Sequence, residues 1–159
     1  MKLKLCFYLY FKINQNKAKN KRILSKINNV RWEAKLKVRL DSIQIFVSDI
    51  GKAKSWYSEI LGMKLIEEDP KFKCLLMKLG NAKFYIETPI PEWGEGWDTV
   101  KIGGRTSIIF ATKNIKQTVK ELKQKGVKFV EELSKRPWGE YKAVFADPDG
   151  NEFNLIQSE

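Results

Sequence analysis

The chemistry open to this chain is limited first by a residue type that it lacks. Its 159 residues include no histidine, so no serine or cysteine has an imidazole to activate it as a nucleophile. Acid–base chemistry must therefore rest on carboxylates, lysines and tyrosines. Glu87 is the candidate general base, because it lies in a predicted strand, 83–88, beside a cleft with aromatic walls. The alternative role for Glu87 is that of a structural carboxylate, hydrogen-bonded or paired with a cation.

Composition and charge indicate one globular domain with a basic extension. Hydrophobic residues make up 43% of the chain and aromatic residues 12%, which excludes disorder throughout. Residues 1–39 contain 12 Lys or Arg against the single acid Glu33, whereas residues 40–159 contain 18 of each sign. We predict a basic N-terminal extension, residues 1–37, that either packs on the domain or is disordered. Charge runs of this kind are more often solvated than bound, so we expect no nucleic-acid or membrane partner.

The first residues make a poor targeting segment. The apolar run of residues 5–11 is at the lower limit for a secretion signal, Lys12 ends it, and no small-residue cleavage pattern follows. The run is also far shorter than the roughly 20 residues that span a bilayer. Cys6 and Cys74 form no disulfide framework, which is typical of a reducing cytoplasm. We therefore expect a cytoplasmic protein.

The elements that must position the site occur twice along the chain. A strand-like segment, DSIQIFVSDI, precedes a helix-like stretch, and SIIFATKNI later precedes another. Ser42 and Ser107 are 65 positions apart, and Gly62 and Gly126 are 64 apart. A repeat of this length is a whole supersecondary module. Two like modules packed side by side form a cleft between them, and equivalent residues of both would face it.

Each copy predicts the order β-α-β-β-β. For the first module, residues 38–88, we predict a strand over 40–47, a helix capped by Ser48-Asp49 and stopped at Gly62, and strands over 64–67, 72–79 and 83–88. A connector, residues 89–104, follows. For the second module, residues 105–159, we predict a strand over 106–111, a helix over 115–125, and strands over 128–131, 141–146 and 152–157. The segment Asp147-Pro148-Asp149-Gly150 has strong turn chemistry.

These motifs resemble the vicinal oxygen chelate superfamily, which includes glyoxalase I, bleomycin-resistance proteins, fosfomycin-resistance enzymes and extradiol dioxygenases. The resemblance covers about residues 38–159, and it is carried by IFVSDIGKAKSWYSEILGMKL, by the repeated second module and by PWGEYKAVFADPDGNEFNLIQ. It implies an α+β fold in which two β-α-β-β-β modules pair into a curved mixed sheet enclosing a cleft. In many members that cleft also holds a divalent metal.

The resemblance further implies four metal-ligand positions, which this sequence fills mostly with weak ligands. Members commonly carry His or Gln, Glu, His and Glu at these positions. The matching residues here are Ser42, Glu87, Ser107 and Asn154. Serine hydroxyls and a single amide are poor donors to divalent transition metals, so we expect no metal cofactor.

A shifted register is the alternative. Gln44 shares a strand face with Ser42, and Glu152 shares one with Asn154. Together with Glu87 they could hold one divalent metal, and an all-oxygen set suits Mg²⁺ or Mn²⁺. Otherwise Gln44 lines the pocket and Glu152 is exposed to solvent.

Strand alternation predicts a cleft with a mixed apolar and polar lining. The expected lining consists of Ser42, Gln44, Phe46, Tyr85, Glu87, Ser107, Ile109, Asn154 and Ile156, and the expected rim of Trp93, Trp97, Trp138 and Tyr141. Such a cleft suits a flat or aromatic small molecule held by stacking. Plain core packing is the alternative for each aromatic residue.

Two classes of function remain open. The first is a metal-free small-molecule binding protein, similar to the bleomycin-resistance branch, that sequesters or carries its ligand. The second is a glyoxalase-like or dioxygenase-like enzyme, a lyase or isomerase, that uses Glu87 with an atypical metal site. Because such modules can pair within one chain or between two chains, we also expect a homodimer.

Overall fold

The computed structural model describes residues 38–94 and 96–158, so the predicted extension, residues 1–37, lies outside the described residues. The first module contains β1 (Ile43–Phe46), α1 (Ile50–Glu59), β2 (Lys64–Asp69), β3 (Cys74–Leu79) and β4 (Ala82–Glu87). A short 3-10 helix, Pro91–Trp93, lies in the connector. The second module contains β5 (Gly104–Thr112), α2 (Ile115–Gln124), β6 (Lys128–Lys135), β7 (Tyr141–Ala146) and β8 (Asn151–Gln157). The predicted α+β order of elements is confirmed.

Each module forms its own four-stranded mixed sheet. The strand orders are β1-β4-β3-β2 and β5-β8-β7-β6. In each sheet the first strand runs parallel to the last, and the remaining pairs are antiparallel. The two sheets are thus equivalent, as the internal repeat predicts. Their strands hydrogen-bond as two separate sets rather than as one continuous sheet.

Both helices begin at the capping residues that the repeat predicts. The Asp49 side chain accepts a hydrogen bond from the backbone N–H of Lys52, and the Asn114 side chain accepts one from that of Gln117. These bonds satisfy N–H groups that the first helical turn leaves without partners. Among the described residues, no helix is long and apolar enough to cross a membrane.

One hydrophobic core joins the two modules. Trp56 of α1 stacks on Phe145 and Phe153 of the second module, with ring centroids 6.4 and 6.5 Å apart. Tyr57, also on α1, meets Phe153 edge to face at 6.3 Å. Tyr57, Phe145 and Phe153 are fully buried. Because aromatic side chains contribute large buried areas, we expect these contacts to make the two modules unfold together.

A buried polar network at the predicted turn also links the modules. Asp147 accepts hydrogen bonds from the Tyr57 hydroxyl at 2.7 Å and from the Asn151 side-chain amide at 2.8 Å. The same amide donates to the backbone carbonyl of Phe46, and its oxygen accepts from the backbone N–H of Gly103. Burial, with the negative charge of Asp147, raises the pKa of Tyr57 far above its usual range. Tyr57 therefore remains a neutral hydrogen-bond donor.

The connector approaches this turn closely at Gly103. A Cβ atom at this position would lie 2.8 Å from the backbone carbonyl oxygen of Asp149, and the φ angle of Gly103 is +85°. Both conditions favour glycine. The connector and the turn are thus packed backbone to backbone.

Candidate functional site

Each sheet has one face against the helices and one open face that could hold a ligand. On the open face of the first module, Gln44 lies level with Tyr85, and Phe46 lies level with Glu87. The residues between them on β1 and β4 point to the core and are buried. Strand alternation therefore places these four residues together, as we expected for one half of the cleft.

Glu87 is held by Gln44 on this open face. The Gln44 side-chain amide donates a hydrogen bond to one carboxylate oxygen of Glu87. Glu87 is only 5% exposed, which is unusual for a carboxylate. The two residues thus form a polar pair at the end of β4, where a ligand could meet either of them.

A row of four aromatic side chains runs beside this pair. Phe46 contacts Trp97, Trp97 contacts Trp93, and Trp93 contacts Phe72, with ring centroids 6.2, 5.1 and 5.7 Å apart. Each contact is edge to face, the geometry that ring quadrupoles favour. Trp93 and Trp97 were expected at the rim, whereas Phe72 was missed. We call these four residues the aromatic row.

A cavity of about 180 Å³ lies on the same open face. We call it the first-module cavity; it is lined by Glu67, Asp69, Phe72, Cys74, Leu76 and Tyr85. Of these, only Tyr85 was predicted. The alternation of side chains along β3 could have revealed two of the others. Leu75 and Met77 are fully buried in the core, so their neighbours Cys74 and Leu76 must point to the open face.

Tyr85 remains protonated in this cavity. A hydrogen bond with Cys74 raises the pKa of Tyr85 to about 12, assisted by burial and by the negative charges of Glu87 and Asp69. The hydroxyl is therefore a neutral group at ordinary pH.

The open face of the second module has a different character, because an ion-pair network covers part of it. Arg105 donates to Glu131 at 2.9 Å and lies 3.6 Å from a carboxylate oxygen of Glu152. Arg136 also donates to Glu131, and this hydrogen bond is the main cause of a lowered pKa at Glu131. Glu152 is therefore paired with a cation.

The predicted lining residues of the second module are partly brought together. Ile109 lies level with Asn154, whose side-chain amide donates to the carbonyl of Ile108 at 3.4 Å. Ile156 follows Asn154 on the same face of β8. Ser107, in contrast, lies in a bulge of β5 with a φ of 61° and is exposed. The bulge takes Ser107 out of the regular strand register that we expected.

Two expected rim residues lie elsewhere. Tyr141 is packed against the core on the helix-facing side of β7, where the ammonium group of Lys116 lies 5.5 Å from its ring centroid. Trp138 is exposed, and its indole N–H donates to Glu140 at 3.3 Å. In residues 38–94 and 96–158, no hydrogen bond or ring contact joins the open-face side chains of one module to those of the other.

The residues present do not fit the divalent metal that the resemblance implies. Ser42 lies four residues before Phe46, the residue level with Glu87, so it is about 13 Å away along the strand. It lines a separate hollow of about 70 Å³. Gln44 and Glu87 do come together, but Glu152 is paired with Arg105 on the other sheet. Over the described part of the chain, no group of three His, Cys, Asp or Glu residues could hold a metal ion.

The fold and sequence are those of a known family. Residues 39–155 match the family model described as the Glyoxalase/Bleomycin resistance protein/Dioxygenase superfamily. A Synechocystis protein named probable lactoylglutathione lyase is 31% identical over 120 residues, which cover 72% of this chain and 91% of that protein.

Solved structures agree with this match. The crystal structure of a superfamily member from Sphaerobacter thermophilus has a TM-score of 0.64 at 31% identity, covering 76% of this chain and 98% of that one. Lactoylglutathione lyase from Agrobacterium tumefaciens has a TM-score of 0.60 at 15% identity, covering 76% and 93%, and supports the fold alone. The chain therefore belongs to the glyoxalase/bleomycin resistance protein/dioxygenase superfamily, the family that its sequence resembles.

Proposed function

We propose that this domain binds a flat or aromatic small molecule on the open face of its first module, and that it sequesters or carries the ligand. The observation that carries the proposal is the first-module cavity beside the aromatic row. Trp93 is 49% exposed although it contacts two other rings. Exposed aromatic surface next to a concavity is typical of a ligand-binding site.

The surroundings of the cavity support binding rather than turnover. The buried carboxylate of Glu87 is engaged by the Gln44 amide. The chain has no histidine to act as a base for a nucleophile. The donor set also does not fit the metal that polarises substrates in many relatives. The open face of the first module can therefore hold a ligand by stacking and by a few polar contacts.

The first prediction concerns a neutral flat probe, N-phenyl-1-naphthylamine, whose fluorescence rises in an apolar site. We expect it to bind the domain, and Trp93→Ala to weaken the binding about tenfold, since losing one stacking partner and its contact area is worth roughly 1.4 kcal/mol. Fluorescence titration measures both affinities.

Trp138→Ala is the matched control, because Trp138 is 58% exposed but belongs to the second module. It should leave the affinity unchanged. Equal losses in the two variants would indicate nonspecific adsorption to exposed tryptophans, and an unchanged affinity in Trp93→Ala would contradict the proposed site.

A lyase remains the second candidate, and the 31% identical relative named probable lactoylglutathione lyase favours it. On this hypothesis Glu87 would act as the base with an atypical metal set. The same protein samples, supplied with Mg²⁺, Mn²⁺, Ni²⁺ or Zn²⁺, can be assayed for formation of lactoylglutathione. Turnover that Glu87→Gln abolishes would replace the binding proposal by the enzymatic one.

We also propose that two copies form a homodimer in which the open face of one module covers the open face of another. Ile109 is 58% exposed on the second module's open face, beside the polar Asn154. A two-fold axis would place the same patch in both copies. We expect sedimentation equilibrium to give a dimer mass, and Ile109→Lys to shift it toward the monomer. Gln124→Lys on α2, which is exposed and lies on the helix side of the sheet, is the control, and a wild-type monomer at all concentrations would refute the dimer.

A further inference from the structure

The lining of the first-module cavity is charged with one sign only. Glu67 lies level with Leu76, and Asp69 lies level with Cys74, so both carboxylates are on the open face of β2. The lining contains no lysine or arginine. One oxygen of Asp69 accepts the backbone N–H groups of Lys71 and Phe72, which holds this carboxylate in place at the cavity edge.

A third carboxylate adjoins the cavity and is almost wholly buried. Glu87 lies level with Cys74 and two residues beyond Tyr85 on the same face of β4. Gln44 binds one of its oxygens, but the other accepts no hydrogen bond from the described residues. No fully buried side-chain oxygen of the described chain lacks a partner, so this second oxygen keeps some exposure to solvent.

Glu87 is buried and has no cationic partner among the described residues. No lysine or arginine among residues 38–94 and 96–158 forms a salt bridge with Glu87. Removing an ionised carboxylate from water is strongly unfavourable unless hydrogen bonds and an opposite charge compensate it. The amide of Gln44 supplies one hydrogen bond but no charge. A cation brought by a ligand would supply both a donor and the missing charge.

The rim of the cavity already holds a cation against an aromatic ring. The ammonium group of Lys71 lies 5.2 Å from the ring centroid of Phe72. Phe72 both lines the cavity and ends the aromatic row. Aromatic faces attract cations through the ring quadrupole. The same wall can therefore contact the charged and the flat parts of one ligand.

We propose that the first-module cavity selects flat organic cations: Glu67 and Asp69 attract the ligand's protonated amine or amidinium, the open oxygen of Glu87 accepts its N–H, and the aromatic row contacts its rings. This inference rests on the proposed binding function and adds the charge class of the ligand. It assigns recognition roles to Glu67 and Asp69, which the sequence did not single out.

The test compares three flat probes of different charge at low ionic strength. They are proflavine, a cation; N-phenyl-1-naphthylamine, which is neutral; and 1-anilinonaphthalene-8-sulfonate, an anion. We expect proflavine to bind at least about tenfold more tightly than the neutral probe and the anion most weakly, because carboxylates attract cations most strongly where solvent is partly excluded. Raising the salt concentration should weaken proflavine binding alone.

The double variant Glu67→Gln/Asp69→Asn isolates the charge. Asparagine at 69 still offers an oxygen to the two backbone N–H groups, so the turn is retained. We expect proflavine affinity to fall about tenfold and that of the neutral probe to stay the same. Glu68→Gln is the matched control: Glu68 lies between the other two on β2, but it is level with the core residue Leu75 and pairs with Lys54 of α1.

Each outcome bears on the inference. If the neutral probe binds in a Trp93-dependent manner and proflavine gains nothing from Glu67 and Asp69, the charge selection is refuted and the binding function stands. If none of the probes binds, both are refuted. Should the double variant unfold by circular dichroism, Glu87→Gln provides the second test, and an unchanged proflavine affinity in that variant refutes the inference.

Discussion

Replacing Asp147 by alanine is expected to lower the free energy of unfolding by about 3–5 kcal/mol. The substitution leaves the buried Tyr57 hydroxyl without its acceptor, and it removes one of the two acceptors of the Asn151 side-chain amide. It also removes the acceptor of the backbone N–H groups of Asp149 and Asn151. Each buried donor left unsatisfied costs about 1–3 kcal/mol. Urea unfolding, monitored by tryptophan fluorescence, measures the loss.

Asp149→Ala is the control for this prediction. Asp149 lies in the same turn and accepts hydrogen bonds from Ser48, but these bonds are exposed. Its loss should cost about 1 kcal/mol or less, since solvent replaces the missing partner. If the two variants lost the same stability, the buried network would contribute nothing beyond an ordinary turn.

Phe145→Ala is expected to destabilise the domain by about 3–5 kcal/mol, the range for a large aromatic residue removed from a packed core. Phe145 is 1% exposed and contacts the rings of Trp56, Phe110, Phe129 and Phe153. Because Trp56 belongs to the other module, the loss should be shared by both halves. We expect circular dichroism and tryptophan fluorescence to report one common unfolding transition at a lower urea concentration.

The same substitution at Phe72 supplies the comparison. Phe72 is 41% exposed and its ring contacts Trp93 on the open face, outside the core, so Phe72→Ala should cost about 1 kcal/mol or less. Two separate transitions in Phe145→Ala would show that the modules unfold independently, contrary to the shared core.

The fold could be predicted from the sequence because its signals are local. Asp49 and Asn114 begin helices as capping residues, and the Gly80–Asn81 turn separates β3 from β4 as its chemistry indicates. The resemblance then supplied the way in which such modules combine. Element bounds differ from the predicted ones by a few residues. β2 and β6 are longer than predicted, whereas β1 and α1 are shorter.

The candidate site was harder to predict from the sequence than the fold, because it depends on contacts between distant parts of the chain. Tyr141 heads a strand in which both faces are apolar near its end, Ala143 and Phe145 on one and Val144 and Ala146 on the other. Alternation alone could not decide which face meets the helices. The bulge that displaces Ser107 depends on how β5 pairs with β8, which is not visible in the sequence of β5 itself.

The first-module cavity could not be predicted from local signals because it arises from the pairing of β2 with β3. Glu67 and Asp69 carry no motif, and their significance comes from facing Cys74 and Leu76 across a sheet. The turn at 147–150 was predicted, but the hydrogen bonds that join it to Tyr57 and Phe46 span 90 and 105 residues of sequence. Local turn chemistry gives no sign of such distant partners.

The network around this turn also bears on how such a duplicated domain can diversify. The equivalent connection in the first module is the two-residue turn Gly80–Asn81. The two copies therefore differ at the turn through which the second module hydrogen-bonds to the first. Consider a chimaera that joins the first half of one relative to the second half of another. It would keep this hydrogen bond only if the first half carried the tyrosine of α1 and the second half carried the aspartate of the turn. The two halves of the domain therefore constrain each other's sequence through this hydrogen bond.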